Sequence, residues 1–148
     1  MNVLALIGAS QAYKKGCFSV KNTLYKIVVP GKPVAKDRPR INKSGKMYTT
    51  LKTKQYEELV FAKTREVVPV PLEGNVKITI RIYAKNLKSD IDNVIKSILD
   101  GMTGAAYEND RQVKTLYAEV TESQFERVEI DISEKEERRS NNVSGSFG

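Results

Sequence analysis

The sequence predicts an α+β domain, in which a mixed β-sheet carries two α-helices packed on one face. Three observations predict it. Several short segments alternate apolar and polar residues with the period of a strand, two segments repeat apolar residues with the period of a helix, and the segments follow one another in the order β, hairpin, α, β, α, β, β. The chain has 148 residues, of which 40% are hydrophobic and 29% charged, so it fits one globular domain.

The first half of the chain predicts a strand, a hairpin and a helix. Residues Leu24 to Val29 are rich in β-formers, and the turn pair Pro30 and Gly31 ends the run. Two extended arms, residues 38–41 and 46–49, flank a turn at residues 42–45. Apolar residues at helical spacing then predict a helix from Leu51 to Val67, which the prolines at 69 and 71 end.

The second half predicts a strand, an amphipathic helix and two further strands. Apolar residues alternate with polar ones from Val76 to Tyr83, which is the period of a strand with one buried face. The next apolar stripe, at i, i+3, i+4, i+7, i+8 and i+11, runs from Ile91 to Met102 and predicts a helix with one buried face. Residues 113–120 and 128–132 read as the last two strands, the second with one wet face.

The ends of the chain differ in composition from the domain. We expect the domain to cover residues 24–133, preceded by an extension of unassigned role at residues 1–23. The tail, residues 134–148, has the composition of a disordered end. The apolar run near the N-terminus is too short for a signal peptide or a spanning helix, and a single cysteine allows no internal disulfide, so we expect a cytoplasmic protein without a membrane partner.

Three carboxylates, two at the start of the second predicted helix and one beyond its end, suggest a cation site. Asp90 and Asp92 lie where a strand hands over to a helix N-terminus, and Asp110 lies beyond the helix. If the strand after Asp110 runs back beside the first, the three acids meet. Carboxylate oxygens suit Mg²⁺, with Mn²⁺ as an alternative. The alternative explanation is an ordinary helix cap and an i,i+4 ion pair between Asp92 and Lys96.

The absence of histidine narrows the chemistry. With no histidine and one cysteine, a Ser/His/Asp triad, a Cys/His pair and an ordinary zinc site are all excluded. Catalysis must therefore depend on carboxylates, lysine, arginine, tyrosine or a bound metal.

Charge is distributed unevenly along the chain. The chain has a net charge of +7, but residues 14–54 hold twelve Lys or Arg and one acid, and residues 119–137 hold eight acids and two bases. A basic half beside acidic metal-type residues is what an enzyme acting on a phosphate backbone needs. The alternatives are a solvated surface that keeps the protein soluble and, for the hairpin, a mobile loop. The candidate DNA-binding residues are Lys36, Arg38, Arg40, Lys43, Lys46 and Tyr48.

The motifs resemble those of one family. Arg38-Pro39-Arg40, the pattern Asp90-x-Asp92-Asn93-x-x-Lys96 with Asp100, and Asp110-x-Gln112-Val113 are similar to the RusA-type Holliday junction resolvases, over about residues 25–120. The resemblance implies a homodimeric, Mg²⁺-dependent endodeoxyribonuclease of bacterial or phage origin that cuts four-way DNA junctions symmetrically in recombination and repair.

Carried over by position, the resemblance assigns metal-binding roles to Asp90, Asp92 and Asp110 and makes Lys96 the essential lysine. Asn93 and Asp100 fall on further motif positions. The sequence departs from the family at position 109. The family often has an Asp there, and the Asn109 of this chain removes that candidate metal ligand. Other hypotheses stay open: a nuclease that prefers forks, flaps or RNA, a basic DNA- or RNA-binding module without catalysis, and a structural protein whose acids are caps.

Overall fold

The computed structural model describes residues 23–136. The predicted extension at residues 1–23 falls almost entirely outside this range, as does the predicted tail from residue 137 onward. Within the range the elements follow the predicted order, with six strands, two α-helices and one turn of 3₁₀-helix. Their bounds are β1 Tyr25–Pro30, β2 Arg40–Ile41, β3 Met47–Tyr48, α1 Leu51–Val67, β4 Val76–Ala84, α2 Ile91–Met102, the 3₁₀ turn Asp110–Gln112, β5 Val113–Glu122 and β6 Arg127–Glu134.

Four strands form the main sheet in the order β1-β6-β4-β5, and the hairpin strands β2 and β3 form a small separate sheet. β6 is antiparallel to both β1 and β4, whereas β5 is parallel to β4, with Val76 opposite Val113 and Ala84 opposite Glu122. The sheet is therefore mixed, as predicted. A parallel pair needs a crossover connection, and α2 supplies it.

The strand pattern assigns one face of the sheet to the core. On β4 the residues at 76, 78, 80, 82 and 84 are buried, and those between them are exposed or half-buried. The inward residues of β1 and β6 join the same core cluster as apolar residues of both helices, among them Tyr56, Val60, Val94, Ile98 and Met102. Both helices therefore pack on the same face, which confirms the predicted fold class.

The two helices touch where the sequence places a glycine. A Cβ atom built on Gly101 of α2 would lie 2.8 Å from Cβ of Val60 on α1 and 2.9 Å from the carbonyl oxygen of Glu57. A residue without a side chain is therefore needed for the helices to approach this closely.

α2 returns the chain to the start of β4. The N–H of Leu72, which precedes β4, donates a 2.8 Å hydrogen bond to the carbonyl of Ala106, just after α2. The first residues of α2 thus lie at the end of the sheet where β4 finishes, and its last residues lie at the end where β4 and β5 begin. No helix within residues 23–136 is long and apolar enough to cross a membrane.

Candidate functional site

Asp90 and Asp92 lie at the start of α2. Asp90 occupies the N-cap position with an extended backbone, but its side chain makes no capping hydrogen bond, and Asp92 lies in the first turn. Both residues are exposed. Within residues 23–136 neither carboxylate has a hydrogen bond or an ion pair, so the explanation of these acids as a side-chain cap and an ion pair to Lys96 does not describe this structure.

Lys96 follows Asp92 by one helical turn. Residues four apart lie on the same side of a helix, so the lysine stem and Asp92 share one exposed surface of α2. Lys96 is exposed and, in the described part of the chain, its ammonium has no partner. A free cation beside two free carboxylates is available to contact a phosphate.

Asp110 begins the 3₁₀ turn that leads into β5. The side chain of Asn109 caps this turn by accepting a 2.9 Å hydrogen bond from the N–H of Arg111. Asn109, which takes the place of a candidate metal ligand, thus has a structural role. Asp110 itself is exposed and lines a cleft together with Asp100, Thr103, Glu108 and Asn109.

Gln112 fixes the turn that carries Asp110. Its side-chain oxygen accepts hydrogen bonds from the N–H groups of Glu108 and Asn109, at 3.0 and 3.1 Å, and its amide donates to the carbonyls of Leu72 and Gly74, at 2.7 and 2.9 Å. The sequence pointed to Gln112 only as part of a motif. All four of its hydrogen-bonding positions are used, so it is the residue that anchors this turn.

Tyr107 anchors the same connection from the core side. Its hydroxyl donates a 2.8 Å hydrogen bond to the carbonyl of Leu99, and burial raises the pKa of this hydroxyl. The chain between α2 and Asp110 is therefore held at both of its ends.

The three predicted acids do not meet within one chain. Asp110 lines a cleft with Asp100, eight residues along α2 from Asp92, and a helix rises about 1.5 Å per residue, so about 12 Å of helix axis separates Asp92 from that cleft. Among residues 23–136 no group of three or more Asp, Glu, His or Cys side chains lies close enough to hold one metal ion. The idea that the strand after Asp110 would bring the acids together in one chain is wrong, because β5 is parallel to β4 and starts at the opposite end of the sheet from Asp90.

The segment before the hairpin is bound along α2. The hydroxyl of Ser97 donates a 2.5 Å hydrogen bond to the carbonyl of Val34, and the N–H of Lys36 donates a 2.9 Å hydrogen bond to the carbonyl of Asn93. From residue 34 to residue 36 the chain thus moves from the middle of α2 toward its start. The hairpin that follows therefore begins at the same end of α2 as Asp90 and Asp92.

Lys36, which the sequence predicts as a DNA contact, has two acidic partners within the fold. Its ammonium forms ion pairs with Asp100 of α2 and with Glu57 of α1, the latter at 3.2 Å. Partial burial by itself lowers the pKa of Lys36, but the contacts and charges of the two carboxylates outweigh this effect and raise the pKa above 10.5. In this structure Lys36 therefore forms ion pairs within the fold, with Asp100 and Glu57 as its partners, and its role as a DNA contact stays a prediction.

The remaining predicted DNA-binding residues are on the hairpin surface. Every residue from 38 to 48 is exposed, and no ion pair within the described range neutralises the hairpin cations. The residues that remain available are Arg38, Arg40, Lys43, Lys46 and Tyr48.

A second group of cations was not predicted as a site. Lys32, Lys52 and Lys88 line a cavity of about 140 Å³ together with one carboxylate, that of Asp37, and its apolar wall includes Pro33 and Leu87. All three lysines are exposed and, among the described residues, have no ion-pair partner. They come from three separate segments, so only the fold brings them together. Lys88 lies two residues before Asp90, which puts this lysine cavity next to the start of α2.

Comparison with known proteins gave a family match. The family model described as Endodeoxyribonuclease RusA matches residues 30–133, which include α1, α2, the hairpin and every candidate residue named above. A search of curated proteins found no match.

Proposed function

This chain belongs to the RusA family of endodeoxyribonucleases, which resolve Holliday junctions, and from that premise we propose that it hydrolyses paired phosphodiesters of four-way DNA junctions with the help of a divalent cation. The observation that carries the proposal is the start of α2. Two exposed carboxylates, Asp90 and Asp92, lie there without partners in the described range, beside Lys96 and the root of a basic hairpin. The nuclease domain in this proposal spans residues 24–133.

The residues at the start of α2 fit a divalent cation that prefers oxygen ligands, such as Mg²⁺. Asp90 and Asp92 offer oxygen ligands that are not used by a cap or an ion pair, and Mg²⁺ is commonly held by one or two carboxylates with water and substrate phosphate completing its shell. Mn²⁺ accepts the same ligands. When bound, such an ion supplies charge neutralisation at the scissile phosphate and lowers the pKa of a water molecule.

The chain's own residues have separate tasks in this proposal. Asp90 and Asp92 hold the cation, and Lys96, one turn further along α2, stabilises the negative charge that grows on the phosphate oxygens. Arg38, Arg40, Lys43, Lys46 and Tyr48 bind the flanking backbone, and the lysine cavity binds one further phosphodiester. A volume of about 140 Å³ is well below the 300 to 1,000 Å³ of typical ligand pockets, which suits a phosphate group rather than a whole nucleotide.

Two features of the chain support a homodimer in this proposal. β5 is an edge strand whose Leu116, Tyr117 and Val120 side chains are all exposed, and apolar edges of this kind are usually covered by a partner. Asp110, which one chain keeps away from Asp90 and Asp92, begins the turn that leads directly into β5. We therefore propose a C₂ dimer in which Asp110 of each copy completes the carboxylate set of the other, giving two sites for the two cuts.

The experiment is a cleavage assay on a labelled four-way junction, a fork and a plain duplex, with Mg²⁺, Mn²⁺ or EDTA. We expect symmetric, cation-dependent nicking of the junction that is abolished in Asp92→Asn while binding persists, because the basic surface is unchanged. A parental cleavage rate in Asp92→Asn would overturn the site. Faster cleavage of the fork than of the junction would identify the fork as the preferred substrate. Binding without cleavage under either cation would show that the protein is a DNA-binding module rather than a nuclease.

A further inference from the structure

The hairpin has an apolar face that phosphate binding does not explain. Ile41 and Met47 lie directly opposite each other in the register of β2 and β3, so their side chains share one face, whereas Arg40 and Tyr48 form the neighbouring pair on the other face. Ile41 and Met47 are each 69% exposed. Two large apolar side chains displayed together at the tip of a basic hairpin indicate a contact with something apolar.

The tip that displays this pair is preorganised. The side-chain oxygen of Asn42 accepts hydrogen bonds from the N–H and hydroxyl of Ser44, at 3.0 and 2.7 Å, and from the N–H of Lys46 at 2.9 Å. Gly45 has a φ of 81°, a left-handed conformation that glycine adopts without strain. The turn is therefore fixed by its first and last residues, and the apolar pair is held in place rather than free to fold against the body of the protein.

The base of the hairpin is fixed as well. The hydroxyl of Thr50 donates a 2.8 Å hydrogen bond to the carboxylate of Asp37, which ties the two ends of residues 38–49 together. The preceding segment is bound to α2 through the Lys36 N–H, so the hairpin is anchored near Asp90 and Asp92. The tip of the hairpin, and whatever it contacts, would thus lie at a defined position relative to the proposed cutting site.

Charge identifies the partner. From residue 38 to residue 48 the hairpin has four cations and no acid, and this suits a polyanion rather than a protein surface of mixed charge. Within a nucleic acid the apolar surface is the face of a base pair. Apolar side chains that enter between base steps and unstack them are a known means of bending or opening DNA, and base-pair faces are most accessible where helical arms meet.

Resting on the proposed function, we propose that Ile41 and Met47 form a wedge that enters the branch point of the junction and unstacks the base pairs there, while the hairpin cations hold the adjacent phosphates. Such a wedge adds selectivity for branched DNA, because an unbroken duplex offers no open base-pair face. The wedge is a positioning and specificity device and takes no part in hydrolysis.

The test uses the full chain carrying Asp92→Asn, which prevents cleavage, and a junction with 2-aminopurine beside the branch point. Fluorescence of this base rises when it is unstacked. We expect a rise with the parental hairpin and none with Ile41→Ser/Met47→Ser, whose preference for junction over duplex falls about tenfold, since burial of the two side chains offsets part of the unstacking cost.

The matched control is Leu51→Ser/Val70→Ser. Leu51 and Val70 are 70% and 67% exposed, so this variant loses the same kind of apolar surface outside the hairpin, and we expect it to keep the fluorescence rise. A rise that survives in the Ile41/Met47 variant overturns the wedge. A change from dimer to monomer in that variant, seen by sedimentation, also overturns it and assigns the pair to a protein interface.

The wedge and the nuclease can fail separately. Junction binding and cleavage by the protein with its natural Asp92, but without any fluorescence rise, would overturn the wedge and leave the nuclease. A fluorescence rise that depends on Ile41 and Met47, without cleavage under any divalent cation, would support the wedge and overturn the proposed reaction.

Discussion

The ammonium of Lys36 lies against the carboxylate of Asp100, so one cation of the basic segment is neutralised inside the fold instead of facing DNA. Glu57 contributes a second carboxylate from α1 at 3.2 Å. Three elements, namely the segment before the hairpin, α1 and α2, are thereby joined by one charged side chain. Removing the charge at residue 36 should therefore affect folding and leave DNA affinity almost unchanged.

We expect Lys36→Gln to lower the free energy of unfolding and to leave the salt dependence of junction binding as it is. Arg38→Ala/Arg40→Ala should leave the free energy of unfolding unchanged and weaken the salt dependence of binding. Each phosphate that the protein no longer neutralises reduces the slope of log affinity against log salt by about 0.9. The measurements are denaturant unfolding and binding titrations at several salt concentrations. A reduced salt slope in Lys36→Gln would return Lys36 to the DNA-binding set.

The pH dependence of the same variant follows from the direction of the pKa shift. Because the folded protein raises the pKa of Lys36 above 10.5, the stabilisation is present in full below pH 10.5 and is lost as the pH rises through the higher folded value. The stability difference between the parent and Lys36→Gln should thus be constant near neutral pH and shrink in strong alkali. An increasing difference at high pH would contradict the assigned ion pair.

Much of the fold could be predicted because local pattern and tertiary structure agree. The helix from Leu51 to Val67 and the apolar stripe from Ile91 to Met102 have the bounds that the sequence predicts. Each stripe is buried against the same sheet, so the periodicity read from the sequence is the packing that forms. The hairpin was also predicted, since Asn42 and Gly45 mark its turn.

The arrangement of the site depends on relationships that the sequence does not encode locally. The end of the sheet at which Asp110 lies depends on whether β5 runs parallel or antiparallel to β4. The apolar pattern of β5 does not predict this orientation. The pairing of Lys36 with Asp100 spans 64 residues, and the three lysines of the cavity come from three segments. The distribution of Lys and Arg along the sequence predicted a basic surface. Only the fold shows which of these side chains are in ion pairs and which are not.

Gly101 should be sensitive to the smallest possible addition. In Gly101→Ala the new Cβ would lie 2.8 Å from Cβ of Val60 and 2.9 Å from a backbone oxygen, so α1 and α2 must separate. We expect a decrease of about 1–3 kcal/mol in the free energy of unfolding, as overpacking usually costs. The matched control is Gly74→Ala, which meets nothing within 4 Å and has no positive φ, and which should be neutral or slightly stabilising. Equal stability of the two variants, measured by denaturant unfolding, would contradict this close helix contact.

The proposed sharing of carboxylates between two copies predicts complementation between inactive variants. Asp92→Asn and Asp110→Asn should each abolish cleavage as homodimers. In a mixed dimer, one site receives both substitutions, and the other combines the intact Asp90 and Asp92 of one copy with the intact Asp110 of the other. Mixing equal amounts under conditions that allow subunit exchange should restore nicking with about a quarter of the parental number of intact sites.

The control for this experiment is a mixture of Asp90→Asn with Asp92→Asn. These residues lie at the start of the same helix, so every site in every dimer keeps one substitution, and no activity should return. Restored sites occur singly, because the mixed dimer has one intact site of two, so the product on a four-way junction should be a single nick rather than a paired cut. If Asp110 acted with Asp90 and Asp92 of its own chain, each site of the mixed dimer would contain one substitution and no cleavage would appear. Recovered nicking in the first mixture alone would therefore assign Asp110 to the partner's site, in agreement with a fold that keeps it at the far end of α2.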